Sequence, residues 1–200
     1  MAYALTTTDV GNLALSKVRT GKVIVDLATD TSTEARELRR WFDVARRQAL
    51  ADFDWSFAHK RATLAAHADA APVDWVYRYV VPADLLVARY LISPLGPTED
   101  AVPFALEEST AGTMCLLTDL ESAVLAYTYD VETTTRWSPT FVPALATLLG
   151  HYVAGPLTGK ATITDRLLQE YRALILLAGA HNMNQAISRA PREAVWIRDR

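Results

Sequence analysis

The residues best suited to metal binding or acid–base catalysis are four histidines spread over the 200-residue chain. A helical metal site needs two histidines three or four residues apart, so that both imidazoles lie on one face. No two of them have that spacing, so we predict no metal site, no cofactor and no catalytic histidine pair. The four are His59, His67, His151 and His181.

Other reactive groups are equally isolated. Gly159-Lys160 resembles the end of a phosphate-binding loop, but Ala154 and Ala161 occupy the positions where the motif needs glycine and a hydroxyl residue. The single cysteine, Cys115, has no histidine or lysine close in sequence, and we predict that it is buried. We therefore predict that the chain is not an enzyme. A catalytic site that forms only in the tertiary fold is one alternative.

The overall composition is that of a globular protein with nearly balanced charge. Half of the residues are apolar, and 20 basic residues stand against 23 acidic ones. This balance does not favour a protein that mainly grips nucleic acid, because phosphate binding relies on clustered positive charge. The N-terminus does not resemble a secretory signal, and the apolar run 173–180 is too short to cross a bilayer. We expect a protein that functions without a membrane.

A long amphipathic helix after residue 32 is the clearest element. Ser32 or Thr33 is the predicted N-cap, and Glu34 lies where the helix dipole favours negative charge. Apolar residues follow at helical spacing. They are Ala35, Leu38, Trp41, Phe42, Ala45, Ala49 and Phe53.

The opposite face of this helix carries dense charge and is the candidate subunit interface. A solvated face, a protein contact and a DNA-binding surface are all compatible with it, and a helical nucleic-acid-binding or regulatory module is the alternative function. The candidate residues are Arg36, Arg39, Arg40, Asp43, Arg46 and Arg47.

Shorter helices are predicted on both sides of a β-rich segment. The first is capped by Thr8 or Asp9 and stops at Gly21. The segment 22–30 is predicted to be extended or loop-like, with Val23, Val25 and Leu27 alternating in the manner of a half-buried strand. Near the C-terminus, one helix runs from Ser138-Pro139 to Gly155-Pro156. Another runs from Thr162 or Thr164 towards Ile187 and Pro191, antiparallel to the first.

The middle of the chain reads as strands. Segments 55–57, 61–66 and 74–81 are strand candidates, and Asp84–Ile92 is compatible with a short helix. Three closely spaced strands are predicted at 102–107, 113–118 and 123–129, where short connections favour an antiparallel meander.

These elements predict a mainly α fold with inserted β structure, an antiparallel helical bundle that carries a small antiparallel β-rich module. We predict one domain, with helices at about 8–54 and 138–189, the β-rich insert at about 55–132, and a tail at 190–200. Trp196 and Ile197 in this tail are apolar residues among charges, a composition typical of an interface anchor. Docking of the tail on its own domain is the alternative.

Four short patterns occur in one order along nearly the whole chain. They are Leu50 with Trp55; Tyr79, Pro82 and Asp84; Tyr127, Thr128 and Asp130; and Trp137, Pro139 and Phe141. In this order the chain resembles the tail tubular protein A family, the head-to-tail adaptor of short-tailed bacteriophages and related viruses.

The resemblance implies a structural virion protein of the head–tail junction, assembled in the host cytoplasm. It implies a homo-oligomeric ring, typically of twelve copies, that binds the portal protein, the tail nozzle or tube and tail fibres. Genomic DNA would pass through its channel during ejection without specific binding. The tail would supply the portal contact, through Pro191, Arg192, Val195, Trp196, Ile197, Arg198 and Arg200.

Overall fold

The computed structural model describes residues 5–93 and 101–185. This part of the chain combines four α-helices with two small antiparallel sheets, which confirms the mixed α+β class predicted from the sequence. It divides into two compact units. Unit 1 contains the described residues up to Ala58 and those from Asp130 to Gln185, and unit 2 contains His59–Tyr129. The assignment of the whole chain to one domain stays a prediction.

Two capped helices begin unit 1. Helix α1 is Thr7–Val18, and its N-cap is Thr6 and not Thr8 or Asp9 as predicted, since the Thr6 hydroxyl accepts the Asp9 N–H in a capping box. It ends at Arg19, which has a left-handed backbone (φ 63°), and not at Gly21 as predicted. Helix α2 is Thr33–Asp52. The Ser32 hydroxyl accepts the N–H of Ala35 at 3.2 Å, which confirms Ser32 as the N-cap.

The segment 22–30 is a loop, which is one of the two predicted forms, and Leu27 is buried, but the predicted alternation is wrong at Val23 and Val25. Val23 and Val25 are 79% and 93% exposed, whereas Ile24 between them is buried. Asn12 explains the difference, because its side chain donates to the carbonyl of Ile24 and accepts its N–H, at 3.0 and 2.9 Å. These two bonds turn Ile24 inward.

Two further helices complete unit 1. Helix α3 is Phe141–Thr158 and helix α4 is Ala161–Gln185. The predicted end of α3 at Gly155-Pro156 is wrong, since Pro156 lies inside the helix. Gly159 ends α3 instead, with a left-handed backbone (φ 65°) and an N–H that donates to the carbonyl of Gly155 at 2.9 Å. The predicted continuation of α4 to Ile187 and Pro191 lies outside the described residues.

Helix α3 is the centre of the unit 1 core. It packs against α1, α2 and α4, and more than half of its residues are buried, among them Phe141, Leu145 and Leu149. By length and composition alone α3 is also apolar enough to cross a membrane. A helix surrounded on several sides by other helices needs the same apolar composition.

Unit 2 holds two antiparallel sheets. One sheet has the order β1-β7-β4, and the other has the order β2-β3-β6-β5. The strands are β1 His59–Thr63, β2 Ala65–Ala66, β3 Tyr77–Val80, β4 Leu85–Leu91, β5 Ala105–Glu108, β6 Met114–Thr118 and β7 Val124–Tyr129.

This pairing corrects three predictions. The segment compatible with a short helix is strand β4, which pairs with β7. The predicted meander holds only for β5 and β6, because β7 joins the other sheet and pairs with β1 and β4. The predicted strand at 55–57 is wrong, since a short 3-10 turn at Ser56–Ala58 takes its place. Since β1 and β7 are neighbours, the first and last strands of the insert lie side by side.

Candidate contact surface on the second helix

One side of α2 presents charged side chains to solvent, and we call this side the α2 outer face. It consists of Arg36, Arg40, Asp43, Val44 and Arg47, all of which are exposed. Their positions recur every three or four residues, which places them on one side of a helix. The face therefore mixes both signs of charge with one apolar side chain, Val44, which is 46% exposed.

Among the described residues, two of these arginines have partners within α2. Arg36 donates to the hydroxyl of Thr33 at 3.2 Å, and Arg40 pairs with Glu37 at 3.1 Å. The Arg40 side chain is still 67% exposed. Exposed pairs of this kind contribute little to stability. Either guanidinium group could therefore leave its local partner to contact another molecule with little loss of stability.

Arg46 does not belong to this face, which corrects its assignment as an interface residue. Its side chain is only 3% exposed and forms an ion pair with Asp130, the residue that follows β7. Asp43 and Glu132 approach the same guanidinium at 3.3 and 3.7 Å, and Arg47 adds a bond to Asp130 at 3.0 Å. Arg46 thus ties α2 to the segment that leads into α3, and it is not accessible to a second subunit.

Arg39 also acts within the chain. Its guanidinium donates to the carbonyls of Leu27 and Asp30 at 2.6 and 2.7 Å. The same loop is organised by its own carboxylates. Backbone N–H groups of Ala28 and Ser32 are the main reason that the pKa values of Asp26 and Asp30 lie below the ordinary value. Arg39 therefore holds the loop that precedes α2.

The residues that carry the family resemblance lie at packing and hydrogen-bonding positions. Trp55 and Trp137 each contact Phe141 edge-on, with ring centroids 5.1 and 5.4 Å apart. Both indole N–H groups are satisfied by backbone carbonyls, those of Ala49 and Val131. This aromatic cluster joins the end of α2 to the start of α3.

Unit 2 contains a polar network that the sequence analysis did not detect. Asp84 accepts hydrogen bonds from Lys60 at 2.6 Å and from the Tyr127 hydroxyl at 3.0 Å, and the Lys60 ammonium also lies over the Tyr129 ring. The bond from Lys60 is the main cause that lowers the pKa of Asp84. The pKa of Tyr127 is raised to about 12, mainly by burial and secondly by the hydrogen bond to Asp84. In sequence, Lys60 and Asp84 are 24 residues apart, and only strand pairing brings them together.

The other candidates for chemistry lie apart from one another. Cys115 is buried, as predicted. His151 contacts the carbonyl of Thr164 at 3.0 Å, and the His67 ring accepts the N–H of Asp69. Within residues 5–93 and 101–185, no group of three His, Cys, Asp or Glu side chains is arranged to hold a metal ion.

The predicted portal-contact tail cannot be placed by the structure. Pro191, Arg192, Val195, Trp196, Ile197, Arg198 and Arg200 all lie outside the described residues. Their role stays a prediction.

Comparison with known proteins adds no further assignment: no protein-family model matches this chain, and no curated protein matches it.

Proposed function

We propose that this chain is a non-enzymatic structural subunit of the head-to-tail connector of a tailed bacteriophage. In this role, copies form an adaptor ring that joins the portal to the tail or nozzle and extends the DNA channel. The proposal includes the finer description of the fold, in which the helices of unit 1 form an antiparallel bundle that carries unit 2 as its β-rich module. It also includes membership of the tail tubular protein A family.

The observation that carries the proposal is the fit between the resemblance and the packing of the residues behind it. Trp55, Trp137 and Phe141 build the aromatic cluster of unit 1, and Asp130 pairs with Arg46. Patterns spread over nearly the whole chain thus have structural roles. A protein whose task is to build a rigid ring would depend on residues of this kind.

The α2 outer face supports a contact between copies. A ring of identical subunits joins one surface to a different surface of the next copy, so the two surfaces need to be complementary and not self-complementary. A face that carries Arg36, Arg40 and Arg47 beside Asp43 is suited to such a contact, because charged groups at an interface mainly set orientation and specificity.

The alternative of a nucleic-acid-binding helix is weakened by the side-chain geometry. It relied on five arginines, but Arg46 is buried against Asp130, and Arg39 is engaged with backbone carbonyls. This leaves Arg36, Arg40 and Arg47, next to Asp43. DNA passing through the channel of the proposed ring would not be held by this face.

The role of the α2 outer face can be tested by reversing one charge. We expect Arg36→Glu to lower the amount of ring seen by native mass spectrometry and electron microscopy, because it reverses one exposed charge of the face. The fold should be kept, since a carboxylate in the first turn of a helix is favourable.

Arg172→Glu is the matched control, since Arg172 is an exposed arginine on α4. It should assemble like the unchanged protein. If Arg36→Glu also assembles normally, the α2 outer face is not the contact between copies.

A further inference from the structure

A basic cleft lies in unit 1 where the end of α1 meets the start of α4. Its volume is about 390 Å³, and it is lined by Arg19, Lys160 and Arg166, with the hydroxyl residues Thr158 and Thr162 beside them. The volume falls within the range of roughly 300–1,000 Å³ that is usual for small-ligand sites. Three cations from three separate segments thus line one concave surface, and no carboxylate residue is part of its lining.

The positive charge in this cleft is not neutralised by the surrounding residues. In the part of the chain that the structure describes, no carboxylate forms an ion pair with Arg19, Lys160 or Arg166. The nearby Glu170 is already paired with Lys17. The chain has more acidic than basic residues, so a group of three cations without acidic partners is an exception within it.

One of these cations is fixed by a side-chain hydrogen bond. Arg166 donates to the carbonyl of Lys17 at 2.9 Å, which fixes its side chain against the end of α1. The backbone N–H of Lys160 donates to the Thr158 hydroxyl at 3.2 Å, which orders the backbone that carries the Lys160 side chain. Thr162 lies in the first turn of α4, where backbone N–H groups and the helix dipole add further positive potential.

We propose that this cleft binds a phosphate group. Repulsion between the three cations would be relieved by an oxyanion placed among them. A phosphate can accept bonds from several directions at once, which suits donors that come from three segments better than a two-oxygen carboxylate does. The phosphate belongs either to a free phosphate compound or to the backbone of DNA. The inference does not depend on ring assembly.

The test uses inorganic phosphate as the probe, measured by calorimetry against chloride at matched ionic strength. We expect saturable binding to the unchanged protein. The variant Arg19→Gly with Lys160→Gln should bind about tenfold more weakly, equivalent to roughly 1.4 kcal/mol. Arg19 has a left-handed backbone that glycine adopts easily, so the thermal midpoint should not fall. Arg61→Gln with Arg172→Gln, which also removes two exposed cations, is the charge-matched control and should bind as before.

A second arm with a short DNA duplex separates the two sources of phosphate. Duplex binding that the double variant weakens identifies the DNA backbone, whereas binding of inorganic phosphate alone identifies a free phosphate compound. Equal affinity for phosphate and chloride, together with no duplex binding, would overturn the proposal. The proposal would also be overturned if Arg19→Gly with Lys160→Gln binds both probes as tightly as the control Arg61→Gln with Arg172→Gln.

Discussion

At the scale of single residues, Arg46 is the charged side chain that is buried among the described residues. A buried charge is costly to leave without a partner, and Asp130 provides that partner from a position 84 residues further along the chain. Helical spacing does separate Arg46 from Arg47, because Arg46 follows the buried Phe42 by four residues and therefore lies towards the apolar side of α2. The identity of its partner follows from the path of the chain after β7, which periodicity within α2 cannot predict.

Removal of the partner should reveal this dependence. We expect Asp130→Asn to lower the free energy of unfolding by about 3 kcal/mol, because it leaves the Arg46 charge buried without its main counter-ion. Urea denaturation measures the change. Asp43→Asn is the matched control, since Asp43 also contacts Arg46 but is 77% exposed. Asp43→Asn should lower the free energy of unfolding by less than about 0.5 kcal/mol. Equal effects of the two substitutions would contradict the central role of Asp130.

The Asp84 network should make stability depend on pH at both ends of the scale. Folding lowers the pKa of Asp84, so its contribution is present above the ordinary carboxyl pKa and is lost as the pH falls through the folded value. Folding raises the pKa of Tyr127 from 10.0 to about 12. The contribution of Tyr127 to the free energy of unfolding is therefore complete below its pKa in the unfolded chain, and it is lost as the pH rises towards 12.

The variant Asp84→Asn should weaken both dependences in urea denaturation across pH. The acid-side loss should become shallower, and the pKa of Tyr127 should fall towards its ordinary value, although burial keeps part of its shift. Asp74→Asn changes an exposed aspartate of the same unit and serves as the control. If the two variants show the same pH profile, the network does not control the titration of these groups.

At the scale of elements, the helices were easier to predict than the strands. Ser32 and the periodic apolar residues of α2 are local signals, and they gave the start of that helix correctly. The prediction for β4 was wrong because its apolar residues fit the spacing of a short helix as well as that of a strand. These residues are Leu85, Leu86, Ala88 and Leu91. Pairing with β7, some forty residues later, decides between the two. Similarly, Gly155-Pro156 is a usual helix end, yet Gly159 takes that role here.

The end of α3 provides a prediction about two glycines that should respond differently. Gly159→Ala should lower the free energy of unfolding by about 1 kcal/mol, since its left-handed backbone is unfavourable for alanine. Gly155→Ala should change it less, because Gly155 has helical backbone, where alanine is favoured, while the ring of the following Pro156 opposes a Cβ at that position. Thermal unfolding of the two variants measures both changes. Equal shifts in one direction would mean that α3 does not end at Gly159.

At the scale of the whole molecule, the β structure is an insert between two helices. Its first and last strands, β1 and β7, are hydrogen-bonded neighbours over five residue pairs. The chain can therefore leave and rejoin unit 1 at nearby points. The sequence predicted the order of helices, insert and helices, but not the division of the insert into two sheets, since pairing between distant strands has no local signal.

The tail after α4 is where the account predicts the portal contact. We expect deletion of residues 190–200 to reduce binding to portal rings in co-sedimentation while leaving the circular dichroism spectrum and thermal midpoint unchanged. The removed residues include the apolar anchors Trp196 and Ile197. A control that replaces only Arg198 and Arg200 with glutamine should keep more binding than the deletion. A truncated chain that binds as tightly as the full one would exclude the tail as the portal contact.

The most direct measurement for the proposed function is electron microscopy of the purified chain mixed with the portal protein of the same phage. The account predicts a closed ring of this chain stacked on the portal, with one continuous central channel. A chain that stays monomeric in the presence of portal, at concentrations well above those that saturate other portal-binding proteins, would contradict it.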